Sequence, residues 1–228
     1  LQWKILLLYL DDIIVYSSTE DQHIHNLETV FQRLSDANLK MKVSKSFVLQ
    51  SSSKYLGYPV SKDGVRKDLE KCEAIQSWQP PTSVKALRSF LGTAGYYKNF
   101  LPNYSTVAAP LFRLLRKDVT FQWSNEEQTA FDGIKHSLQS TEVLAYPNPA
   151  KPYILDTDCS GVGVGCVLSQ LDEEGQERPV AFYSRTLSKA EKRYGITKQE
   201  MCALVAGIRN FKSDRKSTRL NSSHVRTS

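Results

Sequence analysis

Apolar and polar positions change their spacing along the chain, which separates strand-like from helix-like segments. Two short apolar runs, at about 3–9 and 13–17, predict strands on either side of a tight turn. The next segment repeats apolar residues every three or four positions, which predicts a helix capped by Ser18 or Thr19. Its inward face is expected to hold Ile24, Leu27, Val30, Phe31 and Leu34.

Strand-like patterns return at 46–50 and 55–61, and Asp63-Gly64 after them is a hairpin signal. From 65 to 117 the spacing is helical. This part of the chain is therefore predicted to be a helical subdomain.

The last third begins with a capping-box pattern, Ser124 followed by Glu127, ahead of a helix. That helix should bury Ala130, Phe131, Ile134 and Leu138. Strands are predicted at about 152–158, 162–169 and 179–184.

A final helix is predicted from about 197 to 211, with Thr197 as its cap. Its inward face should hold Leu204, Val205, Ile208 and Phe211. The order of strands and helices predicts an α/β (α+β) fold.

Charge says little about the partner. The net charge is +6, but residues 212–228 hold five basic residues against one acidic residue, which leaves +2 for residues 1–211. The four cysteines form no CxxC pair or metal-ligand spacing, so reduced and mostly buried thiols are expected. No apolar run approaches the ~18 residues of a membrane span, so no membrane association is expected.

Two adjacent carboxylates, Asp11 and Asp12, interrupt the apolar run LLLYLDDIIVY. A surface turn explains them without any function, although Asp-Asp is a poor tight turn. A divalent metal site explains them equally well, because Mg²⁺ prefers oxygen ligands held on a rigid element. A catalytic site that holds two such ions about 4 Å apart is expected to need a third carboxylate as well.

Four segments, in this order along the chain, carry a family resemblance: Tyr9-Leu10-Asp11-Asp12, Lys54–Ser61 (KYLGYPVS), Leu87–Phe100 (LRSFLGTAGYYKNF) and Phe121–Ser124 (FQWS). They resemble the Pol polyproteins of gypsy-type long-terminal-repeat retrotransposons, over about residues 3–211. The resemblance implies a reverse transcriptase, an RNA-directed DNA polymerase, joined to a ribonuclease H.

For the polymerase, the resemblance implies that Asp11 binds the catalytic metals, Asp12 supports the site and Tyr9 lies near the nucleotide. The remaining catalytic Asp is expected upstream of Leu1. The hairpin that grips the primer would include Tyr55, Leu56, Gly57 and Tyr58, and the basic thumb residues Lys85, Arg88 and Lys98 would face the primer–template.

A second constellation, ILDTDCSGVGVG, spans residues 154–165. Its glycines invite a dinucleotide-loop reading, but the pattern is GxGxG and continues into a strand, so that reading is rejected. The segment resembles the first catalytic strand of the RNase H domain, with Cys159 where Ala is usual. Asp158 is then the metal ligand, and Asp156 is the competing choice because both lie on one strand face.

Glu200 is the second nuclease ligand that the resemblance implies. Its spacing from Thr197 also fits a capping box, which would explain it without catalysis. We expect Asp158 and Glu200 to converge within about 5–8 Å, because two-metal hydrolysis needs carboxylates that share an ion. The family's two later carboxylates are expected beyond Phe211.

The resemblance implies three parts: a truncated palm hairpin with the primer grip over 1–61, a thumb and connection over 62–118, and a partial RNase H-like mixed sheet over 119–211. Residues 212–228 lack periodicity and are predicted to be disordered and foreign to the domain.

The implied cofactor is Mg²⁺, with Mn²⁺ as a substitute. The implied partners are an RNA or DNA template–primer, an RNA–DNA hybrid, dNTPs and the rest of the Pol polyprotein, in a cytoplasmic virus-like particle with a nuclear phase. Two alternatives remain: a domesticated, non-catalytic nucleic-acid-binding module, and a truncated reading frame without function. The presence of two acidic pairs argues against the first.

Overall fold

Two antiparallel hairpins flank one long helix in residues 1–63, the first of two units into which the chain divides. The computed structural model describes residues 1–2, 4–140 and 142–212, and the backbone of 225–227. The elements of the first unit are β1 (Leu6–Tyr9), β2 (Asp12–Val15), α1 (Glu20–Asp36), β3 (Ser52–Tyr55) and β4 (Tyr58–Ser61).

Helix α1 begins where the sequence predicts, because the Thr19 hydroxyl accepts a hydrogen bond from the Gln22 amide at 3.3 Å. Its predicted inward face is wrong in part, since Ile24 and Phe31 are 49% and 39% exposed. Among the described residues α1 packs on the narrow β1–β2 hairpin, which covers only one stripe of the helix. Asn26 lies in that stripe, where its side-chain amide donates to the Ser17 hydroxyl at 2.7 Å.

The β3–β4 hairpin corrects two predictions. Residues 46–50 form no strand, and the predicted strand 55–61 is interrupted by a two-residue turn at Leu56-Gly57. Both turn residues have positive φ, 51° and 81°, as a type I′ turn requires. Because the turn pairs Tyr55 with Tyr58, it fixes the register of the hairpin. The strand that pairs with β4 is therefore β3, directly before the turn, and not residues 46–50.

Helices form the first half of the second unit, residues 64–228. After the short strand β5 (Gly64–Val65) come α2 (Leu69–Gln76), α3 (Val84–Tyr96), α4 (Tyr104–Val107), α5 (Ala109–Arg113) and α6 (Asn125–Gln139). The capping box of Ser124 and Glu127 is confirmed, and the four apolar residues predicted for the inner face of α6 are buried. Phe131 of α6 packs on Phe90 of α3 with ring centroids 4.5 Å apart, which joins the two helices through the core.

A four-stranded mixed sheet forms the second half of this unit. Strands β6 (Ile154–Cys159), β7 (Gly163–Leu171) and β8 (Glu177–Thr186) are antiparallel, and β9 (Val225–Thr227) runs parallel to β6. Their order in the sheet is β8-β7-β6-β9. Helix α7 (Ile196–Asn210) packs on β6 and β7. The mixed sheet of the predicted α/β fold is therefore confirmed.

Strand β9 lies within 212–228, where the sequence predicts no regular structure. The edge of β6 offers backbone donors and acceptors to any neighbouring extended segment, which accounts for pairing at these three residues. Residues 213–224 and 228 lie outside the described residues, and with them most of the predicted disordered tail.

The thiols of Cys72, Cys159, Cys166 and Cys202 are all free. Burial raises the pKa of the Cys166 thiol to about 12, which keeps this thiol protonated at neutral pH. Within the described part of the chain, no helix has the length and apolarity needed to cross a membrane.

Candidate active sites

The first acidic pair lies at the tip of the β1–β2 hairpin, and the structure corrects the predicted turn. Leu10 and Asp11 form the turn, whereas Asp12 begins β2 opposite Tyr9. Leu10 takes the positive φ of 51°, so neither Asp has to adopt the left-handed conformation. Both carboxylates and the Tyr9 ring are exposed, which leaves them accessible to a metal ion or a nucleotide.

The predicted primer-grip residues lie at the β3–β4 turn. Leu56 is exposed at the tip, Gly57 follows it, and Tyr55 and Tyr58 are half-buried across from each other. This hairpin is in the same unit as the first acidic pair, whereas the basic residues assigned to the thumb are in the second unit.

An exposed stripe runs along helix α3. Lys85 and Arg88 lie three positions apart on it, and Gly92 and Tyr96 continue it at spacings of four. Gly92 leaves open space at its Cβ position, and Tyr96 is 44% exposed. Neither residue was predicted from the sequence as part of this surface, although the helical spacing of both from Arg88 is the signal that identifies them. Lys98 is exposed in the 3-10 turn at Lys98–Phe100.

Asp158 is exposed near the carboxyl end of β6, and Asp156 is half-buried two positions earlier. Asp158 is paired with Gly165 of β7, so both lie on the same sheet face. Helix α4 covers that face, because a Cβ at Gly163 would meet the Thr106 hydroxyl at 2.8 Å and a Cβ at Gly165 would overlap the Asn103 side chain. The last two glycines of the GxGxG pattern, Gly163 and Gly165, therefore let a helix approach a strand closely.

Helix α7 lies on the other sheet face. A Cβ at Gly207 would approach the sulfur of Cys166 at 3.0 Å and the Leu155 side chain at 3.3 Å. The inner residues of the helix are accordingly Ala203, Ala206 and Gly207, and the predicted inward position of Val205 is wrong, since it is 40% exposed. Small residues are inward here because the helix packs close to the strands.

The capping explanation for Glu200 fails. Gly195 is the N-cap of α7, the helix begins at Ile196, and no side chain bonds to the cap. Thr197 is thus already inside the first turn, and the predicted cap at this residue is wrong. Glu200 instead lies one turn into the helix, with its Oε2 buried and without a hydrogen-bond partner among the described residues.

Strand alternation places the Cβ of Asp158 on the face of α4, whereas Glu200 belongs to α7 on the opposite face. The two carboxylates nevertheless both act on one group. The pKa of the Cys159 thiol is raised first by burial, then by the Glu200 carboxylate and then by that of Asp158. Cys159 is the last residue of β6, so both carboxylates lie near this end of the strand; their approach within about 5–8 Å stays a prediction.

No group of three His, Cys, Asp or Glu side chains in the described part of the chain is arranged to hold a metal ion.

A cavity of about 540 Å³ lies beside the outer face of α7. It is lined by Tyr183, Arg185, Glu191, Met201, Cys202, Val205, Ala206, Arg209 and Asn210. Arg185 holds Glu191 through two hydrogen bonds of 2.7 and 2.9 Å, and the Ser188 amide donates to the same carboxylate at 2.8 Å. These bonds, those of Arg185 first, lower the pKa of Glu191 to about 2.

This ion pair predicts a pH dependence of stability. The folded-state pKa of Glu191, about 2, lies below the unfolded value of about 4.3, so its stabilisation is present above pH ~4.3 and is lost as pH falls toward 2. Chemical unfolding at a series of pH values between 2 and 6 gives the free energy of unfolding as a function of pH. The slope of this free energy against pH should be shallower for Glu191→Gln than for the unmodified chain. Arg185→Gln should give a smaller reduction in the same direction, because the bonds from Ser188 to the carboxylate remain, and an unchanged slope in both variants would contradict the assignment.

Two family profiles match the chain. Residues 2–60 match "Reverse transcriptase (RNA-dependent DNA polymerase)", and residues 123–220 match "RNase H-like domain found in reverse transcriptase".

Curated relatives match nearly the whole chain. The retrovirus-related Pol polyprotein from transposon opus of Drosophila melanogaster is 40% identical over 221 residues, which is 92% of this chain and 22% of that protein. The transposon Tf2-3 polyprotein of Schizosaccharomyces pombe is 35% identical over 210 residues, 92% of this chain and 16% of that protein. The chain thus spans about a fifth of the length of these relatives.

Solved structures share the fold. A foamy viral protease-reverse transcriptase, dRH, in complex with double-stranded DNA superposes with a TM-score of 0.85 at 22% identity, over 97% of this chain and 38% of that one. The foamy viral protease-reverse transcriptase with an RNA/DNA hybrid gives 0.83 at 22% identity, over 97% of this chain and 30% of that one. Fold, family profiles and relatives agree, and the chain belongs to the Pol polyproteins of long-terminal-repeat retrotransposons, of which it carries part of the reverse transcriptase and part of the RNase H-like domain.

Proposed function

We propose that this chain contributes two acidic pairs to Mg²⁺-dependent phosphoryl transfer, Asp11 and Asp12 to DNA synthesis and Asp158 and Glu200 to cleavage of RNA in a hybrid. The observation that carries the proposal is Glu200, whose buried Oε2 lacks a partner within the described residues. A buried carboxylate oxygen without a partner is costly, and a bound cation would offset that cost.

The donor set fits a hard divalent cation, because all four side chains offer carboxylate oxygens. When bound, Mg²⁺ or Mn²⁺ supplies Lewis-acid stabilisation of the phosphoryl oxygens. The chain itself holds the carboxylates of each pair in position. The turn at Leu10-Asp11 fixes the first pair on a two-stranded hairpin, and the end of β6 and the first turns of α7 fix the second. At the end of a strand the sheet no longer separates its two faces, so side chains from both faces can reach one ion.

Glu200→Gln tests the nuclease pair. Without metal, the variant should unfold at a higher temperature than the unmodified chain, because it replaces a carboxylate whose buried Oε2 has no partner within the described residues. With Mn²⁺ in the millimolar range, the unmodified chain should gain thermal stability, and the variant should gain less because only its Asp11–Asp12 pair remains intact. Thermal unfolding with and without Mn²⁺ measures both effects, and Glu173→Gln, in the exposed turn after β7, is the matched control. An equal Mn²⁺ response in all three proteins would contradict a metal-binding role for Glu200.

The proposed partners are a template–primer duplex of RNA or DNA and an RNA–DNA hybrid, with dNTPs as substrates and the rest of the Pol polyprotein, in a virus-like particle, as the setting. The α3 stripe supports a duplex partner. Its basic residues Lys85 and Arg88 are exposed, and Gly92 beside them has no side chain. The phosphate backbone of a duplex can therefore come close to the helix. The foamy viral proteins of the same fold are complexes with double-stranded DNA and with an RNA/DNA hybrid.

Neutralising the stripe should weaken duplex binding. Lys85→Gln with Arg88→Gln should lower affinity and reduce the slope of log K against log salt by about one for each phosphate that is no longer neutralised. Fluorescence anisotropy of a labelled duplex between low salt and about 0.5 M salt measures both. Lys189→Gln, an equally exposed charge outside α3, is the control and should change neither. Affinity that persists at about 0.5 M salt would show that phosphate contacts do not carry the binding.

A further inference from the structure

Asn103 occupies an unusual position between the helical half of the second unit and the sheet. It precedes α4 with φ 51° and ψ 25°, in the left-handed conformation that Asn tolerates better than most residues. A Cβ atom on Gly165 would overlap the side-chain oxygen of Asn103 and would lie 3.7 Å from its amide nitrogen. The carboxamide of Asn103 therefore takes the place that a side chain of residue 165 would fill.

That place is beside Asp158. Gly165 is the cross-strand partner of Asp158, and directly paired residues have Cβ atoms about 4.5–5.5 Å apart on the same face. A carboxamide in this place therefore lies on the same sheet face as the Asp158 side chain. Asp156 is paired with Val167 and is only a diagonal neighbour of the same place, so the geometry favours Asp158.

Local structure does not account for the orientation of Asn103. Asn is a favoured N-cap residue, yet its side chain makes no capping hydrogen bond to α4. The element is instead held to the sheet by its neighbour Ser105, whose amide and hydroxyl bond to Ser184 of β8 at 2.9 and 3.0 Å. This anchoring fixes Asn103 over the strand pair while leaving its carboxamide for another role.

We infer that Asn103, which lies outside the RNase H-like sheet in sequence, is a positioning residue for Asp158. The side-chain amide N–H of Asn103 donates a hydrogen bond to one oxygen of the Asp158 carboxylate. This bond orients the other oxygen toward the cation. The inference rests on the proposed function, because it assumes that Asp158 binds a metal. Partners of this kind that orient metal-binding side chains commonly change metal affinity about 10- to 100-fold when they are removed.

The test is paramagnetic broadening of backbone amide NMR signals by Mn²⁺ in the 228-residue chain. In the unmodified chain, Mn²⁺ should selectively broaden the signals of residues beside the two proposed acidic pairs, and that of Asp158 reports the second pair. Asn103→Gly keeps the left-handed backbone but lacks the amide, and it should need about tenfold more Mn²⁺ for the same broadening. Gly165→Ala should act in the same direction, because its methyl group displaces the Asn103 carboxamide.

The controls separate the possible failures. Asn38→Gly alters another left-handed Asn, with φ 55° and in the first unit, and should leave the broadening at Asp158 unchanged. If Asn103→Gly and the unmodified chain show the same Mn²⁺ dependence, Asn103 has no positioning role and the proposed metal site still stands. If the unmodified chain shows no selective broadening, the metal site itself fails and the positioning role fails with it.

Discussion

Purified as it stands, the chain should neither extend a primer nor cleave an RNA–DNA hybrid above background, with either Mg²⁺ or Mn²⁺. Each candidate site brings two carboxylates, and no third acidic, Cys or His ligand joins either pair within the described residues. Loss of a single preorganised charge-stabilising group commonly costs ~10²–10³ in rate, and two-metal transfer depends on this electrostatic stabilisation throughout. The expected rate is therefore at least about two to three orders of magnitude below that of a complete enzyme of the family.

The assays are primer extension on RNA and DNA templates, and cleavage of the RNA strand of a labelled hybrid. Asp11→Asn and Asp158→Asn are the matched variants, one for each reaction. If the unmodified chain is active and the corresponding variant abolishes that activity, the residues within the chain suffice for catalysis and the prediction is wrong.

Gly64→Ala should destabilise the chain more than a methyl group added at any other glycine with positive φ in the second unit. Gly64 has φ +134°, and a Cβ there would overlap the carbonyl oxygen of Leu144. Leu144 is joined to Val65 by two reciprocal backbone hydrogen bonds of 2.9 Å, so the oxygen cannot move without breaking them. Backbone strain at such a φ costs about 1–3 kcal/mol by itself, and the overlap should raise the total above about 3 kcal/mol.

Two glycines serve as controls for this variant. Gly175→Ala meets a positive φ of 77° with open space around it, so it should show only the strain. Gly92→Ala, in open space within α3, should stabilise the chain by up to about 1 kcal/mol because Ala favours helix. Chemical unfolding of the three variants should rank them in this order, and a Gly64→Ala destabilisation no greater than that of Gly175→Ala would show that the overlap relaxes.

Local features were predictable where local physics decides them. The capping box at Ser124, the cap at Thr19 and the buried face of α6 follow from the sequence, because they depend on residues within one or two turns. The three strands of the sheet were also located approximately, since each is a short apolar run bounded by turn residues.

Helix α7 shows where local signals were not enough. Thr197 was predicted as its cap, but the helix begins at Ile196 with Gly195 as the N-cap. Val205 has the spacing of an inward residue, but the small residues of α7 allow the close approach to the sheet and therefore occupy the contact.

The sequence by itself determined the family and the approximate order of the elements, and it nominated the acidic residues of the two proposed sites, because motifs and periodicity depend on neighbouring positions. Only the tertiary structure decided which surfaces are covered and what lies beside each carboxylate. Exposure of Ile24 and Phe31, burial of the Glu200 Oε2 and the approach of Asn103 to the partner of Asp158 all depend on residues distant in the chain. Such contacts are set by strand register and by how closely a helix can approach a sheet, and neither quantity is encoded within a single segment.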